Sequence, residues 1–181
     1  MLKYVLSVVA VIAIAIPVVI IFSCGGSGLP DPAPCPAPSP VAVASVPPGF
    51  DDRAAAAQAV QALFNRRIQS LTDLRDAFKK QYPTDTFFRD AAFRPDFATY
   101  ADKSICTAQQ MLETTSVTVG GESVGLAKPR LDTALQSFID TMKDGRDAVA
   151  SRNVSNYRSW YAAVGGRLQA IRDAFVNPSG T

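Results

Sequence analysis

One apolar stripe at helical spacing constrains the fold of this chain more than any other feature. Its members recur every three or four positions between Asp51 and Pro83, and they are Val60, Phe64, Ile68, Leu71, Leu74, Phe78 and Tyr82. This spacing places them on one face of an α-helix. Asp51 or Asp52 is suited to cap its first turn, and Pro83 stops it. The sequence predicts a long amphipathic helix whose apolar face needs further helices to cover it.

Three further stripes follow along the chain. The first has Pro95 in its opening turn, the second begins at Pro129, and the third is capped by Asn153 or Ser155 and ends before Pro178. Their apolar members are Phe97, Ala101, Ile105, Ala108 and Leu112; then Leu131, Leu135, Phe138, Met142 and Val149; then Tyr157, Trp160 or Tyr161, Val164, Leu168, Ile171 and Phe175. We therefore expect an all-α protein, an antiparallel bundle of about four helices over residues 51–178.

Glycines interrupt these patterns in three places. Gly120-Gly121, flanked by short apolar runs, predicts a small hairpin, with a mobile loop as the alternative, and this insertion is a candidate contact surface. Gly145 weakens the stripe that begins at Pro129. Gly165-Gly166 in the last helix costs about 1 kcal/mol per residue relative to alanine, which predicts close helix packing or a kink there.

Aromatic residues are dense between positions 87 and 100, with Arg89 and Arg94 among them. They are Phe87, Phe88, Phe93, Phe97 and Tyr100. Such a pattern can stack bases or bind an anionic ligand. However, 18 basic and 16 acidic residues nearly balance and are interspersed, so no nucleic-acid partner is expected. We interpret the aromatic residues as core plus a lid at one end of the bundle.

The chain contains no histidine, which removes the usual triads and most zinc and non-haem iron sites. Two acidic pairs, Asp73/Asp76 and Asp140/Asp144, lie three and four residues apart, as paired catalytic carboxylates would. Alternating charges such as Arg146 surround them, which is typical of an exposed helix face. We expect no enzymatic activity, no catalytic residues, no cofactor and no metal site.

The chain begins with Lys3 and an apolar run from Tyr4 to Phe22. A run of this length can cross a bilayer, and it is longer than the apolar region of most secretory signals. Residues 1–23 are therefore a signal peptide or a transmembrane helix. The positive charge before the run leaves the amino terminus in the cytoplasm and everything after Phe22 outside in either case.

Ile21-Phe22-Ser23-Cys24 resembles the lipobox of bacterial lipoproteins, with an aliphatic residue three positions before the cysteine and a small residue one before it. The resemblance covers only the first 28 residues or so. It implies that the signal is cut before Cys24, that Cys24 is the lipidation site, and that the lipid anchors the mature protein. The alternative is a retained helix with a chance cysteine beside it.

Residues 24–50 form a Gly/Pro-rich stretch in which every second residue from Pro30 to Pro40 is proline. Proline lacks an amide donor, so neither a helix nor a central strand is expected. We predict an extended tether that holds the domain tens of ångströms from the membrane, at about 3.1 Å per residue. A proline-rich ligand for an aromatic groove is the less favoured alternative.

Three cysteines are present. Lipidation of Cys24 would leave Cys35 and Cys106, which we predict to form a disulfide that pins the tether to the folded domain. Two unpaired thiols are the alternative.

Two classes of function remain. The first is a membrane-anchored extracytoplasmic bundle that acts without catalysis as a binding or accessory subunit of a cell-envelope membrane complex, with a protein partner. The second is a carrier or receptor for a small or lipidic ligand, in which the aromatic residues line a cavity between the helices.

Overall fold

The computed structural model describes residues 28–43, 46 and 51–176. The predicted signal or transmembrane segment, residues 1–23, and the predicted lipidation site Cys24 lie outside this part of the chain. So does the side chain of Phe87.

Four α-helices make up the body of the described structure: α1 (Asp52–Gln81), α2 (Phe93–Glu113), α3 (Pro129–Ala150) and α4 (Val154–Val176). Helix α3 packs extensively against both α2 and α4, and α1 packs mainly against α2 and less against α4. The predicted all-α bundle of four helices is confirmed.

Helices α1, α3 and α4 begin where the sequence predicts. The side chain of Asp51 accepts a hydrogen bond from the amide of Ala54 at 2.7 Å, and Pro129 is the first residue of α3. Before α4, the side chain of Asn153 accepts from the amide of Asn156 at 3.0 Å. A short 3₁₀ helix, Asp85–Arg89, lies between α1 and α2.

The insertion between α2 and α3 is the predicted hairpin. Strands β2 (Ser116–Val119) and β3 (Glu122–Gly125) pair in antiparallel register. The turn between them places Gly120 at φ 58° and Gly121 at φ 96°, a conformation that glycine adopts without a steric cost. Val117 and Val119 are buried, which fixes the hairpin to the bundle beside α1.

A third strand comes from the proline-rich region. β1 (Ala42–Val43) pairs in parallel with β2, where the amide of Thr118 donates to the carbonyl of Val41 at 2.9 Å. The sequence predicts no central strand here, and β1 is indeed a two-residue edge strand. It forms just after the last alternating proline, where backbone amides are again present.

Among the glycines of α3 and α4, the site of close helix packing is not the one that the sequence predicts. The Cβ positions of Gly165 and Gly166 face open space and α4 is continuous through them, so the predicted close packing is wrong. The close approach is at Gly145 instead. A Cβ there would lie 2.6 Å from the Trp160 ring, which is how α3 and α4 come close together.

Candidate functional site

Aromatic side chains fill one end of the bundle, where α1 ends and α4 begins. This aromatic cluster comprises Phe78, Tyr82, Phe88, Phe93, Phe97, Tyr100, Tyr157 and Trp160, none more than 8% exposed. Phe78 stacks on Tyr100 with ring centroids 4.7 Å apart, and Phe97 meets Trp160 edge-on at 4.9 Å. Contacts at these distances are those of a packed core. The prediction of core at this end of the bundle is therefore confirmed.

The hydroxyls of the cluster are held in their neutral form. Burial raises the pKa values of Tyr100 and Tyr157 above the usual tyrosine range. Burial, together with a hydrogen bond to Asp96 at 2.6 Å, raises the pKa of Tyr82 to about 12. The hydroxyl of Tyr157 and the indole nitrogen of Trp160 have no hydrogen-bond partner. None of these groups is poised to exchange a proton near neutral pH.

An open apolar groove of about 260 Å³ lies at the other end of the bundle. Its floor is formed by the buried side chains of Val60, Phe64 and Leu131, and Phe175 of α4 closes one side. The rest of its lining is Ala57, Gln61, Leu126, Ala127 and Lys128. The groove thus lies between the first half of α1, the end of α4 and the connection from β3 to α3.

Lys128 is the charged residue of the apolar groove, and it is only 6% exposed. Its ammonium group donates to the carbonyl of Leu112 at 2.9 Å and pairs with Asp132. It therefore neutralises the carbonyl end of α2 and ties it to the first turn of α3. Because these partners engage the charge, the groove presents an apolar surface with the amide of Gln61 at its edge.

The sequence does not reveal this groove. Val60, Phe64 and Leu131 have the spacing of ordinary core residues, and the connection Leu126–Lys128 carries no pattern of its own. The groove arises because three separate parts of the chain meet there.

The second notable feature is the docking of the proline-rich region, residues 28–43, which we call the docked segment. The predicted disulfide is present: Cys35 is bonded to Cys106 of α2, with Cα atoms 5.2 Å apart. Beside it, the side chain of Gln110 donates to the carbonyl of Pro36 at 3.0 Å, and the amide of Ala33 donates to Asp102 at 3.4 Å.

A partly buried ion pair holds the start of the docked segment. Arg146 of α3 pairs with Asp102 of α2, and the two side chains are only 12% and 13% exposed. The same guanidinium donates to the carbonyl of Pro30 at 2.6 Å, and Leu29 packs against the core. The sequence interpretation of Arg146 as an exposed surface charge is wrong, because the docked segment covers it.

For residues 28–43, the prediction of a tether that extends away from the domain is wrong. The docked segment is extended, as alternating prolines require, but it runs along the bundle instead of away from it. The sequence shows the missing amides that exclude a helix. It does not show that Arg146 and Gln110 donate hydrogen bonds to the carbonyls of Pro30 and Pro36.

The two predicted carboxylate pairs remain on the surface. Asp73 and Asp140 accept hydrogen bonds from Gln69 and Gln136 at 2.8 and 3.0 Å, and Asp76 pairs with Arg75 at 2.6 Å. Within residues 28–43 and 51–176, no group of three or more cysteine, aspartate and glutamate residues could hold a metal ion. No helix in that part of the chain has both the length and the apolar character needed to cross a bilayer.

No protein-family model, curated protein or solved structure matches this chain. The described residues form a four-helix bundle with an amino-terminal segment bonded to α2 by a disulfide and an apolar groove at the end opposite the aromatic cluster.

Proposed function

We propose that this protein is exported and membrane-anchored, and that it acts without catalysis as a binding or accessory subunit of a cell-envelope membrane complex. The observation that carries this proposal is the bond between Cys35 and Cys106. Structural disulfides persist in oxidising compartments outside the cytoplasm. The amino-terminal apolar run, preceded by Lys3, directs the chain to the same side.

Cys24 is the proposed point of attachment. Its place after Ile21-Phe22-Ser23 resembles a lipobox, and with Cys35 and Cys106 bonded to each other it is the remaining cysteine. A diacylglyceryl thioether there would anchor the bundle to the outer side of the membrane. A retained helix from Tyr4 to Phe22 would anchor it on the same side.

The apolar groove is the proposed contact for the partner. Protein interfaces derive much of their binding energy from a few large side chains that fill well-packed pockets. A groove of about 260 Å³ with Phe64 and Leu131 in its floor suits such an anchoring side chain.

A carrier of a small or lipidic ligand is the second candidate, and the same groove is what favours it. The volume is below the roughly 300–1,000 Å³ of most ligand pockets, and the groove is open to solvent. The aromatic cluster, where the sequence places the cavity, is packed core. These facts favour a protein partner over a carried ligand.

Attachment at Cys24 is tested by intact mass. Wild-type protein extracted from membranes should begin at Cys24 and carry the added mass of the lipid. Cys24→Ser should retain residues 1–23 without that mass, because a hydroxyl does not replace the thiolate as nucleophile. A wild-type chain of full length and unmodified mass contradicts lipidation and supports the retained helix.

The function of the groove is tested by filling it. Ala57 is exposed and lines the groove, so Ala57→Trp should block it without disturbing the core. Ala62→Trp is the matched control, since Ala62 is also exposed on α1 but lies outside the groove lining. In co-purification from mild detergent, Ala57→Trp should reduce recovery of the partner at least tenfold, whereas Ala62→Trp should leave it unchanged.

Equal recovery with both variants contradicts a partner site in the groove. Native mass spectrometry of the same samples separates the two candidate functions. Loss of a bound small molecule from Ala57→Trp, with the recovery of protein partners unchanged, supports the carrier instead.

A further inference from the structure

The docked segment begins at a defined place on the bundle. Pro30 is held by Arg146, in the second half of α3, and Ala33 by Asp102, in the middle of α2. The segment then follows α2 past Cys106 toward the hairpin. Its amino-terminal end is thus fixed between α2 and α3, next to the partly buried ion pair of Arg146 and Asp102.

Only a short length of chain separates that place from the proposed anchor. Leu29, which packs against the core, is five residues after Cys24. Five residues span at most about 18 Å when fully extended. The disulfide and the ion pair therefore remove most of the reach that a free tether of residues 24–50 would have.

We propose that the side of the bundle formed by α2 and α3 around Arg146, here called the anchor side, lies against the lipid bilayer surface. This inference rests on the proposed function, because it needs a membrane anchor at Cys24 or at the end of a helix that stops at Phe22. The docked segment determines which side of the protein meets the membrane.

The apolar groove lies far from the anchor side. Leu131 in its floor precedes Arg146 by fifteen residues of α3, which is about 22 Å along the helix axis. The groove is also bordered by α1 and α4, whereas the amino-terminal part of the docked segment, up to Cys35, lies on α2 and α3. When the anchor side lies against the bilayer, the groove therefore faces away from the lipid and remains accessible to a partner.

Charge does not account for this orientation. Lys103 and Lys143 are exposed on α2 and α3, but Asp140, Asp144 and Asp147 are exposed there as well. A surface with this balance is not drawn to anionic headgroups. The short connection imposes the orientation, so we expect it to be insensitive to salt and to the content of anionic lipid.

The test uses the full-length protein, extracted from membranes and reconstituted into phosphatidylcholine vesicles that contain lipids with nitroxide-bearing headgroups. A fluorophore is attached to Lys143→Cys on the anchor side or to Gln61→Cys at the edge of the groove. The native disulfide stays intact. Lipid blocks Cys24 if that residue is the anchor, and Cys24→Ser removes its free thiol if the retained helix is the anchor. Quenching should be at least threefold stronger at position 143 than at position 61, and unchanged in high salt. Equal quenching at the two positions overturns the proposal.

A released variant supplies the control. Cys35→Ser, Cys106→Ser and Arg146→Gln together remove the disulfide and the hydrogen bond to Pro30. In this background the quenching at position 143 should fall to that at position 61, while far-ultraviolet circular dichroism remains helical. Strong quenching at position 143 that persists after release also overturns the proposal.

Vesicle flotation distinguishes this inference from the proposed function. Protein that does not float with the vesicles contradicts the membrane anchor, and both proposals fail. Protein that floats but shows equal quenching contradicts only the anchor side.

Discussion

At the scale of single residues, two hydroxyls in the aromatic cluster differ in what they contribute. The hydroxyl of Tyr82 donates to Asp96 at 2.6 Å, whereas the hydroxyl of Tyr157 is buried without a partner. A buried hydroxyl without a hydrogen bond costs about 1–3 kcal/mol, and one that donates to a carboxylate stabilises the fold by a similar amount. The two residues therefore make a matched pair for mutation.

Tyr157→Phe should raise the free energy of unfolding by about 1 kcal/mol, because it removes an unsatisfied donor without changing the packing of the ring. Tyr82→Phe should lower it by about 1 kcal/mol, because Asp96 loses a donor. Urea denaturation at neutral pH measures both. A loss of stability in Tyr157→Phe would mean that its hydroxyl does have a partner in solution.

At the scale of helices, Gly145 and Gly165 allow the effect of helix propensity on stability to be distinguished from the effect of packing. Gly145 of α3 sits against the Trp160 ring, with no room for a Cβ atom, whereas Gly165 of α4 faces open space. Alanine raises helix propensity by about 1 kcal/mol at either position. The sign of the net effect therefore depends on what the added methyl group meets.

Gly145→Ala should destabilise the protein by about 1–3 kcal/mol, because α3 and α4 must move apart or the indole must shift. Gly165→Ala should stabilise it by about 0.5–1 kcal/mol. Thermal denaturation followed by circular dichroism compares the two. Stabilisation by both substitutions would show that the contact between Gly145 and Trp160 is looser than the structure has it.

At the scale of the whole molecule, the disulfide joins the docked segment to the bundle across a sequence separation of 71 residues. On the chain-entropy model, closing a loop of this size stabilises the folded state by roughly 4 kcal/mol. The bond also holds in place the carbonyl contacts of Pro30 and Pro36 and the short β1 strand. Its removal should therefore weaken the bundle and free the segment together.

A chain of residues 28–181 should unfold at a lower urea concentration after reduction, with a loss on the order of 4 kcal/mol. A chain of residues 51–181 lacks Cys35, so reductant should not change its unfolding. This shorter chain should remain soluble and helical, because the four helices carry the core. Equal sensitivity of the two chains to reductant would contradict a stabilising role for the bond.

Sequence patterns were sufficient for the helices because helix formation depends on neighbours in the chain. The stripe from Val60 to Tyr82, the cap at Asp51 and the first-turn proline at Pro129 are local signals, and the structure follows them. The hairpin at Gly120-Gly121 is local in the same sense, since its turn needs only two residues that tolerate positive φ. The Cys35–Cys106 bond was predictable only by counting cysteines.

By itself, the sequence determined the four helical segments, where α1, α3 and α4 begin, and that proline excludes a helix between Pro30 and Pro40. Only the tertiary structure decided that Gly145, and not Gly165 or Gly166, is the site of close packing. Tertiary structure alone also placed Arg146 under the docked segment and opened the apolar groove beside Lys128. The physical reason is separation along the chain. Arg146 and Pro30 are 116 residues apart, and no pattern within a window of a few helical turns records which distant groups will meet.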